Sequence, residues 1–332
     1  MFEHGITDSH IVITGGAGFI GTTLARCLAD DNRVTLFDNL HNDAFSTSAV
    51  RQHPNVTLVK GDVQDLESLC AVVDDSVEYV VHCAAIAGVD TVIQNPHLTL
   101  EVNIEGVFNV CKAAANRPNL KRLIEFSTSE VFGSKAYNVD EFEISPTFTV
   151  GEARWTYAIS KLTGEFIAHS YHTKYGVPTV TIRPFNVYGP NQVGVGAIHH
   201  FVVRAVKGED LVIHDDGSQI RAWCYIDDFV DGVLRTLVAD SAVGRSFNIG
   251  NPRSTVTTYN LARMIINLAD STSRYRFEKR GMQDIALRIP NINSARKELG
   301  FEPQIELEEG LLRTIEWYRN RVAEEAKAPA AG

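Results

Sequence analysis

The stretch ITGGAGFIG, residues 13–21, places Gly15, Gly18 and Gly21 between an apolar, β-branched run and the start of a helical pattern. Glycines at this spacing allow a tight strand-to-helix turn and let backbone N–H groups approach a bound pyrophosphate. The dipole of the helix favours negative charge at the same place, its N-terminus. The stretch therefore predicts a dinucleotide-binding βαβ unit at the start of the chain.

A carboxylate, Asp38, ends the next β-branched run, RVTLFD (33–38). An acid at this point of a βαβ unit can accept hydrogen bonds from both ribose hydroxyls of NAD. It would repel the additional phosphate of NADP, and Arg33 of the same run is predicted to point elsewhere. These residues predict NAD as the cofactor. Asp62 lies in the following turn, GDV (61–63). It either bonds to the adenine amino group or is an ordinary aspartate of a turn.

Short β-branched runs alternate with helical patterns through the first half of the chain. The runs are IVITG (11–15), RVTLFD (33–38), NVTLVKGD (55–62), YVVHCA (79–84) and KRLIEFST (121–128). Such alternation builds right-handed βαβ units and a parallel sheet covered on both faces. We predict an α/β fold, a Rossmann-type doubly wound parallel sheet with a smaller C-terminal α/β substrate-binding cap. The predicted domains are 1–183, with a segment at about 222–250 returning to it, and 184–332.

Composition and charge narrow the classes of function. The net charge of −10 argues against nucleic-acid and anionic-membrane partners, because both require a basic surface. The five cysteines lie far apart without a CxxC pair, and we predict reduced core thiols and no metal site. No apolar run approaches the length of a transmembrane helix, and the N-terminal residues lack the pattern of a signal peptide. We expect a cytoplasmic protein.

A second constellation consists of Tyr157 and Lys161 in YAISK (157–161). Positions i and i+4 share a helix face, so the ammonium is predicted to lower the pKa of the phenol. A phenolate can take a proton from a sugar hydroxyl while hydride leaves the same carbon for a nicotinamide. Thr128 follows a predicted parallel strand, at the end where ligands bind in open α/β sheets. These three residues are the candidate catalytic group.

These features together resemble the extended short-chain dehydrogenase/reductase superfamily, in its nucleotide-sugar epimerase/dehydratase/decarboxylase branch, over residues 9–320. The resemblance implies an NAD-dependent enzyme acting on a nucleotide sugar. Three later segments are similar to substrate-binding segments of that branch. They imply contacts from Asn186 of RPFNVYGP (183–190) to the diphosphate-sugar, from Arg221 of DDGSQIRAWCYIDD (215–228) to phosphate, and from Arg288 of LRIPNINSARKELGF (287–301) to phosphate or sugar.

The resemblance implies further contacts beyond those argued from the residues. On the cofactor side they are Phe19, Ile20, Asn39, Val63, Ala84, Ala85, Asn103 and Pro184, in addition to the glycines, Asp38, Asp62, Tyr157 and Lys161. On the substrate side they are Arg154, Val212 and His214.

The stretch Thr128-Ser129-Glu130 bears on the reaction. Decarboxylases of this branch read Thr-Ser-Glu, and most 4,6-dehydratases read Thr-Asp-Glu, although GDP-mannose 4,6-dehydratases also read Thr-Ser-Glu. Arg154, three residues before Tyr157, is similar to an arginine of UDP-glucuronate decarboxylases. The resemblance therefore implies decarboxylation of UDP-glucuronate through a 4-ketone, giving UDP-xylose, UDP-4-keto-pentose or both. Glu130, with Ser129, is expected to orient the carboxylate-bearing face of the sugar and to help protonate C5.

Alternatives remain open at this stage. The segment AAIAGVDTVIQNP (84–96) is more similar to dehydratases and epimerases, which leaves UDP-glucuronate 4-epimerase and nucleotide-hexose 4,6-dehydratase as alternative activities. A non-catalytic nucleotide-sugar binder is the alternative of another class. We also expect an isologous homodimer built on helices 97–117 and 156–175. Its expected contact residues are Val107, Val110, Ala114, Phe166 and Ile167.

Overall fold

A parallel sheet of seven strands forms the centre of the first half of the protein. The computed structural model describes residues 3–143, 148–281 and 285–327. The strands in these residues are β1 (His10–Thr14), β2 (Arg33–Asp38), β3 (Val56–Lys60), β4 (Val77–His82), β5 (Arg122–Phe126), β6 (Lys135–Val139), β7 (Thr179–Pro184), β8 (Val187–Tyr188), β9 (Leu211–His214), β10 (Ile220–Ala222), β11 (Cys224–Tyr225), β12 (Ser246–Ile249), β13 (Thr255–Thr257), β14 (Tyr275–Glu278) and β15 (Leu287–Pro290).

The α-helices of the same residues flank this sheet and build most of the second half. They are α1 (Phe19–Leu28), α2 (Leu66–Val72), α3 (Val89–Gln94), α4 (Pro96–Leu100), α5 (Gly106–Ala114), α6 (Thr156–Tyr175), α7 (Ala197–Lys207), α8 (Ile226–Val238), α9 (Thr258–Leu268), α10 (Asn293–Leu299) and α11 (Leu307–Lys327). A π-helical segment, Glu101–Glu105, joins α4 to α5. None of the helices in the described ranges has the length and apolar character needed to cross a membrane.

The order of the strands explains where ligands can bind. The large sheet runs β3-β2-β1-β4-β5-β7-β12, and each neighbouring pair is parallel. The chain winds in opposite directions on either side of the gap between β1 and β4. Ligands of doubly wound sheets bind outside the carboxyl ends of the strands at this switch point. The predicted Rossmann-type architecture is confirmed.

Both faces of the large sheet are buried, as parallel sheets require. Ile11, Val12 and Ile13 of β1 have no exposed surface, and they alternate between two apolar clusters. One cluster includes residues of α1 and α8, and the other includes residues of α2 and α5. The continuous apolar character of β1 therefore follows from helices packing on both of its faces.

The cap is built around a four-stranded sheet of order β13-β10-β15-β6. Its strands are short, with three to five residues each. One of them, β6, belongs to this sheet because it pairs in parallel with β15. It precedes residue 184, where the predicted cap begins. The apolar cluster on the α1 side of the large sheet continues into α7, α9 and α11. The cap and the sheet therefore share one core.

Two features differ from what the sequence analysis provides. Helix α7 is not among the predicted elements, although Ile198, Phe201, Val202 and Ala205 are buried at helical spacing. The second difference concerns the expected contact residues of the dimer, which are wrong for the most part because they pack inside the monomer. Val107, Val110, Ala114 and Ile167 are buried, and Phe166 is 68% exposed.

Candidate active site

The glycine-rich turn after β1 forms a narrow backbone cradle. Gly15 has a φ of +65°, and a Cβ atom there would lie 2.6 Å from the backbone nitrogen of Ala84. A Cβ atom on Gly21 would lie 2.6 Å from the Cα atom of Gly16. Helix α1 begins immediately after Gly18, so its positive end faces this turn. The cradle fits a pyrophosphate, because only small residues leave room for a group held by backbone N–H donors.

Asp38 lies at the carboxyl end of β2, beside the cradle. Its Oδ2 accepts a hydrogen bond from the N–H of Ala17 at 3.0 Å, and its Oδ1 accepts one from the N–H of Leu40 at 2.7 Å. Burial raises the pKa of Asp38, while these two backbone bonds lower it in part. Arg33 lies at the opposite end of β2 and bonds to Ser76, so it points away as predicted. The carboxylate is held where the ribose of a dinucleotide is expected.

The remaining candidate cofactor residues divide into two groups. Phe19, Ile20, Ala84, Ala85 and Pro184 lie on α1, after β4 and at the end of β7, around the carboxyl edge of the sheet. The others bond or pack within the protein. Asn39 donates a hydrogen bond to Asp62 at 3.2 Å, and Val63 is buried in the apolar core. The side chain of Asn103 bonds to the backbone N–H and C=O of Ile86 and to the hydroxyl of Ser160. Asn103 therefore fixes the loop that follows β4.

A cavity of about 630 Å³ opens at the carboxyl ends of β5 and β7, between the large sheet and the cap. It brings together candidate residues that lie far apart in the sequence. The candidate residues that line it are Ile20, Ala85, Thr128, Ser129, Glu130, Arg154, Tyr157, Lys161, Pro184, Asn186, Val212, His214, Arg221 and Arg288. The predicted catalytic and substrate-binding residues thus share one site.

The lining of this cavity is strongly basic. It includes Arg154, Arg204, Arg221, Arg280 and Arg288, together with Lys161, His200 and His214. Glu130 is the acid among the described lining residues. The whole chain carries a net charge of −10, so the lining of this cavity has the opposite balance of charge from the chain. Such a cavity favours a ligand with several negative charges.

Glu130 lies between two of these arginines. Its Oε2 accepts a hydrogen bond from Arg154 Nη1 at 2.6 Å, and its Oε1 lies 3.7 Å from Arg288 Nη1. Burial alone would raise the pKa of Glu130, but the charges of Arg288 and Arg154 outweigh burial and hold the pKa below its ordinary value. Glu130 is therefore an ionised carboxylate at neutral pH and a poor proton donor.

Tyr157 is in contact with Thr128, as the predicted catalytic group requires, and a hydrogen bond from Thr128 lowers the pKa of the phenol. Burial and the charge of Glu130 act in the opposite direction and raise the pKa above its ordinary value. The predicted lowering by Lys161 is wrong for this structure. The Nζ of Lys161 donates instead to the Oε1 of Glu125 at 3.0 Å, and this carboxylate compensates the ammonium charge.

Several lining residues escaped the sequence analysis. His200 and Arg204 lie one helical turn apart on α7. Their i, i+4 spacing indicates a shared face only where a helix is predicted, and this helix was not predicted. Arg280 approaches the cavity from the cap and pairs at 3.6 Å with Asp90 of α3, in the first half of the chain. Glu125 was also missed, although a single acid inside the apolar strand β5 is unusual.

A family model, the NAD dependent epimerase/dehydratase family, matches residues 11–250 of the chain. This match covers the cradle, Asp38, the Thr128 segment and the Tyr157–Lys161 pair. The chain belongs to this family.

Two relatives of this epimerase/dehydratase family member are decarboxylases of nucleotide-linked uronic acids. UDP-N-acetyl-alpha-D-glucosaminuronate decarboxylase of Bacillus cytotoxicus is 31% identical over 318 residues, covering 93% of this chain and 97% of the relative. UDP-glucuronic acid decarboxylase 1 of Xenopus tropicalis is 32% identical over 325 residues, covering 95% of this chain and 73% of the relative. Other members that resemble the chain are UDP-glucuronate 4-epimerases and dTDP-glucose 4,6-dehydratases.

Among solved structures, a UDP-glucuronic acid 4-epimerase from Bacillus cereus, in complex with UDP-glucuronic acid and NAD, matches with a TM-score of 0.84. The two proteins are 26% identical, and the match covers 94% of this chain and 99% of the other. The chain is thus an enzyme of an NAD-dependent family that modifies nucleotide sugars, and its cofactor is NAD.

For this family member, the position of Asp38 predicts how the cofactor is selected. We expect Asp38→Ala to weaken NAD binding by about 1 to 3 kcal/mol, because ribose hydrogen bonds are lost. The preference for NAD over NADP should also become smaller, because the carboxylate of Asp38 no longer repels the additional phosphate of NADP. Calorimetric titration with NAD and NADP measures both effects, and Asp43→Ala, at an exposed acid nearby, is the matched control. A wild-type protein that prefers NADP would contradict the assignment of Asp38.

Proposed function

We propose that the protein is an NAD-dependent decarboxylase of UDP-linked uronic acids, with UDP-glucuronate as its substrate. The observation that carries this proposal is the Arg154–Glu130–Arg288 cluster in a basic cavity. A UDP-uronic acid carries negative charge at two phosphates and at the sugar carboxylate. Two guanidinium groups beside one fixed carboxylate leave net positive charge for a further anion. The Nε of Arg154 is buried and has no hydrogen-bond partner within the described residues.

The proposed mechanism uses few side chains. The glycine cradle and Asp38 would hold NAD, which would supply the hydride acceptor for C4 of the sugar. Tyr157 takes the proton of the C4 hydroxyl, and Thr128 hydrogen-bonds to the same oxygen. Once C4 is a ketone, the carboxylate at C5 is that of a β-keto acid, whose carbon dioxide leaves while Thr128 and Tyr157 stabilise the enolate oxygen. One proton from solvent completes the balance, because hydrogen replaces carbon dioxide at C5.

Glu130 has a different part in this mechanism from the one expected from sequence. An ionised carboxylate held by two arginines is not a ready acid for C5. We propose that it fixes Arg154 and Arg288 against the carboxylate-bearing side of the sugar and orients the water that protonates C5. Ser129, which also lines the cavity, is the hydroxyl available to share that water.

The remaining candidate residues would bind the two ends of the substrate. We propose that Asn186 and Arg221 contact the diphosphate and that Val212 and His214 lie beside the uridine. Residues 1–183, with about 222–250, would form the NAD-binding unit, and 184–332 would supply the substrate-binding cap. In this division β12 is the edge strand of the large sheet, α8 packs against that sheet, and the basic residues of α7 lie in the cap.

A second activity, UDP-glucuronate 4-epimerisation, is favoured by the structural match to the Bacillus cereus epimerase. Elimination of water is less well supported, because Ser129 stands where most 4,6-dehydratases have an acid, and Glu130 is ionised. Incubation of the protein and NAD with UDP-glucuronate, UDP-N-acetylglucosaminuronate, UDP-glucose and dTDP-glucose, followed by mass spectrometry, separates the three activities. Loss of one carbon dioxide supports the proposal. Loss of water, or a changed sugar spectrum at constant mass, contradicts it.

We also propose a homodimer, through a face revised from the one expected from sequence. Phe108, Ile159 and Phe166 are large apolar side chains exposed on the outer surfaces of α5 and α6. Two such helices from each subunit, joined about a two-fold axis, would cover them. We expect Phe166→Glu to convert the dimer to a monomer in light scattering at micromolar concentration. Phe142→Glu, at an exposed phenylalanine elsewhere, should leave the dimer intact.

A further inference from the structure

A row of polar side chains crosses three neighbouring strands on one face of the large sheet. Thr14 of β1 is in register with His82 of β4, and His82 is in register with Glu125 of β5. All three residues have no exposed surface. The residues two positions earlier on the same strands, Val12, Val80 and Leu123, belong to an apolar cluster. The polar row is therefore a departure from an otherwise apolar sheet face.

The row ends at the ammonium of Lys161. Thr14 Oγ1 lies 2.6 Å from His82 Nδ1, His82 Nε2 lies 3.8 Å from Glu125 Oε2, and Glu125 Oε1 accepts the hydrogen bond from Lys161 Nζ at 3.0 Å. A Cβ atom on Gly164, three residues after Lys161, would lie 3.1 Å from Glu125 Oε1. Glycine at this position lets α6 approach Glu125 closely.

Stability does not account for this arrangement. A buried ion pair loses about as much through desolvation as it gains through attraction, and apolar residues of similar volume are often as stable or more stable in its place. Leu123 and Val107, beside the pair, show that the site could be apolar. Lys161 itself lines the cavity and belongs to the Tyr157 constellation. A buried acid bonded to such a lysine is better explained by function.

We propose that Glu125 is a positioning residue of the active site, which fixes the ammonium of Lys161 and compensates its charge beside Tyr157. The inference rests on the hydride-transfer step of the proposed function. It does not depend on whether decarboxylation or epimerisation follows that step.

The charges around the pair support this assignment. Glu125 raises the pKa of Tyr157, in addition to the larger effects of burial and Glu130. Burial raises the pKa of Glu125 itself to about 7, although Lys161 lowers it in part. At a pH below about 7, Glu125 is protonated and no longer compensates the charge of Lys161. At a higher pH the carboxylate is ionised and compensates it.

The histidine and cysteine side chains near the pair contribute no charge, and the one neighbouring acid among the described residues that acts on Glu125 is itself paired. Burial and, to a smaller extent, the charge of Lys161 together lower the pKa of His82 to about 3, so the imidazole is neutral. Burial raises the pKa of the Cys83 and Cys111 thiols, which stay neutral. Glu165, which also raises the pKa of Glu125, is paired with Arg183 at 2.7 Å. Glu125 is thus the charge that acts on the phenol from this side, and Glu130 and Arg288 act from the cavity.

The test replaces Glu125 by glutamine in the NAD-bound protein. Glutamine keeps the size and the acceptor for Lys161 but removes the charge, so we expect the midpoint of Tyr157 ionisation to fall by about one pH unit. Tyrosinate absorbance, taken as the difference between each protein and its Tyr157→Phe counterpart, reports this midpoint without substrate. The acid limb of the pH profile of NADH formation should move in the same direction by a similar amount.

Three variants separate a charge effect from a packing effect. Glu125→Met, which also lacks the charge, should give the same lowered midpoint, so it serves if Glu125→Gln does not fold. Glu125→Asp keeps the charge and should keep the midpoint near that of wild type while slowing NADH formation. Glu141→Gln, at a second buried carboxyl, should change neither. An unchanged midpoint in the charge-free variants, folded by circular dichroism, would overturn the inference. Absence of NADH formation from every sugar would contradict the proposed function and leave the absorbance test intact.

Discussion

In the Tyr157→Phe variant, formation of NADH from UDP-glucuronate is expected to fall by about 10³- to 10⁴-fold, near the upper end of the effect of a positioned acid or base. The substitution removes the hydroxyl that contacts Thr128 and leaves the ring in place. Binding of NAD and of UDP should change little, because the cradle, Asp38 and the arginines are untouched. Single-turnover absorbance measures hydride transfer, and calorimetry measures binding.

The matched control for this variant is Tyr137→Phe, which removes a phenol hydroxyl from a tyrosine that is 71% exposed. It should turn over like wild type. If Tyr157→Phe also turned over like wild type, Tyr157 would not be the base, and the mechanism proposed for every activity considered for this cavity would fail with it.

The Glu130→Gln variant is expected to separate oxidation from the steps that follow. Glutamine keeps the size of the side chain but removes the charge that pairs with Arg154 and Arg288. Release of carbon dioxide should slow by about 10²- to 10⁴-fold while NADH still forms and accumulates. Binding of UDP-glucuronate should not weaken, because the cavity becomes more positive. Product mass and NADH absorbance, followed in the same reaction, give the two rates.

The control for Glu130→Gln is Glu152→Gln, because Glu152 bonds to the indole of Trp155 and does not line the cavity. An epimerase would be almost insensitive to Glu130→Gln, and a dehydratase would lose exchange of the C5 hydrogen with solvent. Release of carbon dioxide at the wild-type rate would show that Glu130 has no part in the reaction.

Local signals in the sequence predict the sheet and most of the cavity lining. The glycine spacing and Asp38 define the first βαβ unit because that turn tolerates few other residues. Thr128, Tyr157 and Lys161 were found because strand ends and i, i+4 positions have fixed geometry. Helix α7 was missed because glycines precede it, at 194 and 196, and because its polar residues, His200 and Arg204, face the cavity.

Other features depend on contacts between distant parts of the chain. The charge state of Glu130 follows from Arg154 and Arg288, and these arginines are brought together only by the folded cap. The compensation of Lys161 by Glu125 depends on α6 packing against β5 at Gly164. Apolar periodicity on α5 and α6 could not distinguish a core face from a dimer face, because both are apolar. Burial in the folded chain decides between them.

The order of strands in the large sheet has a consequence for how the chain is made. The edge strand β12 is residues 246–249, and it pairs with β7, which ends at residue 184. A fragment ending near residue 184 would carry β7 as an uncovered edge, with its backbone N–H and C=O groups open to other strands. During synthesis about sixty residues after β7 must therefore be made before β12 can pair with it and complete the sheet. Fragments of the first half alone should aggregate, and the unit that folds must extend at least as far as β12.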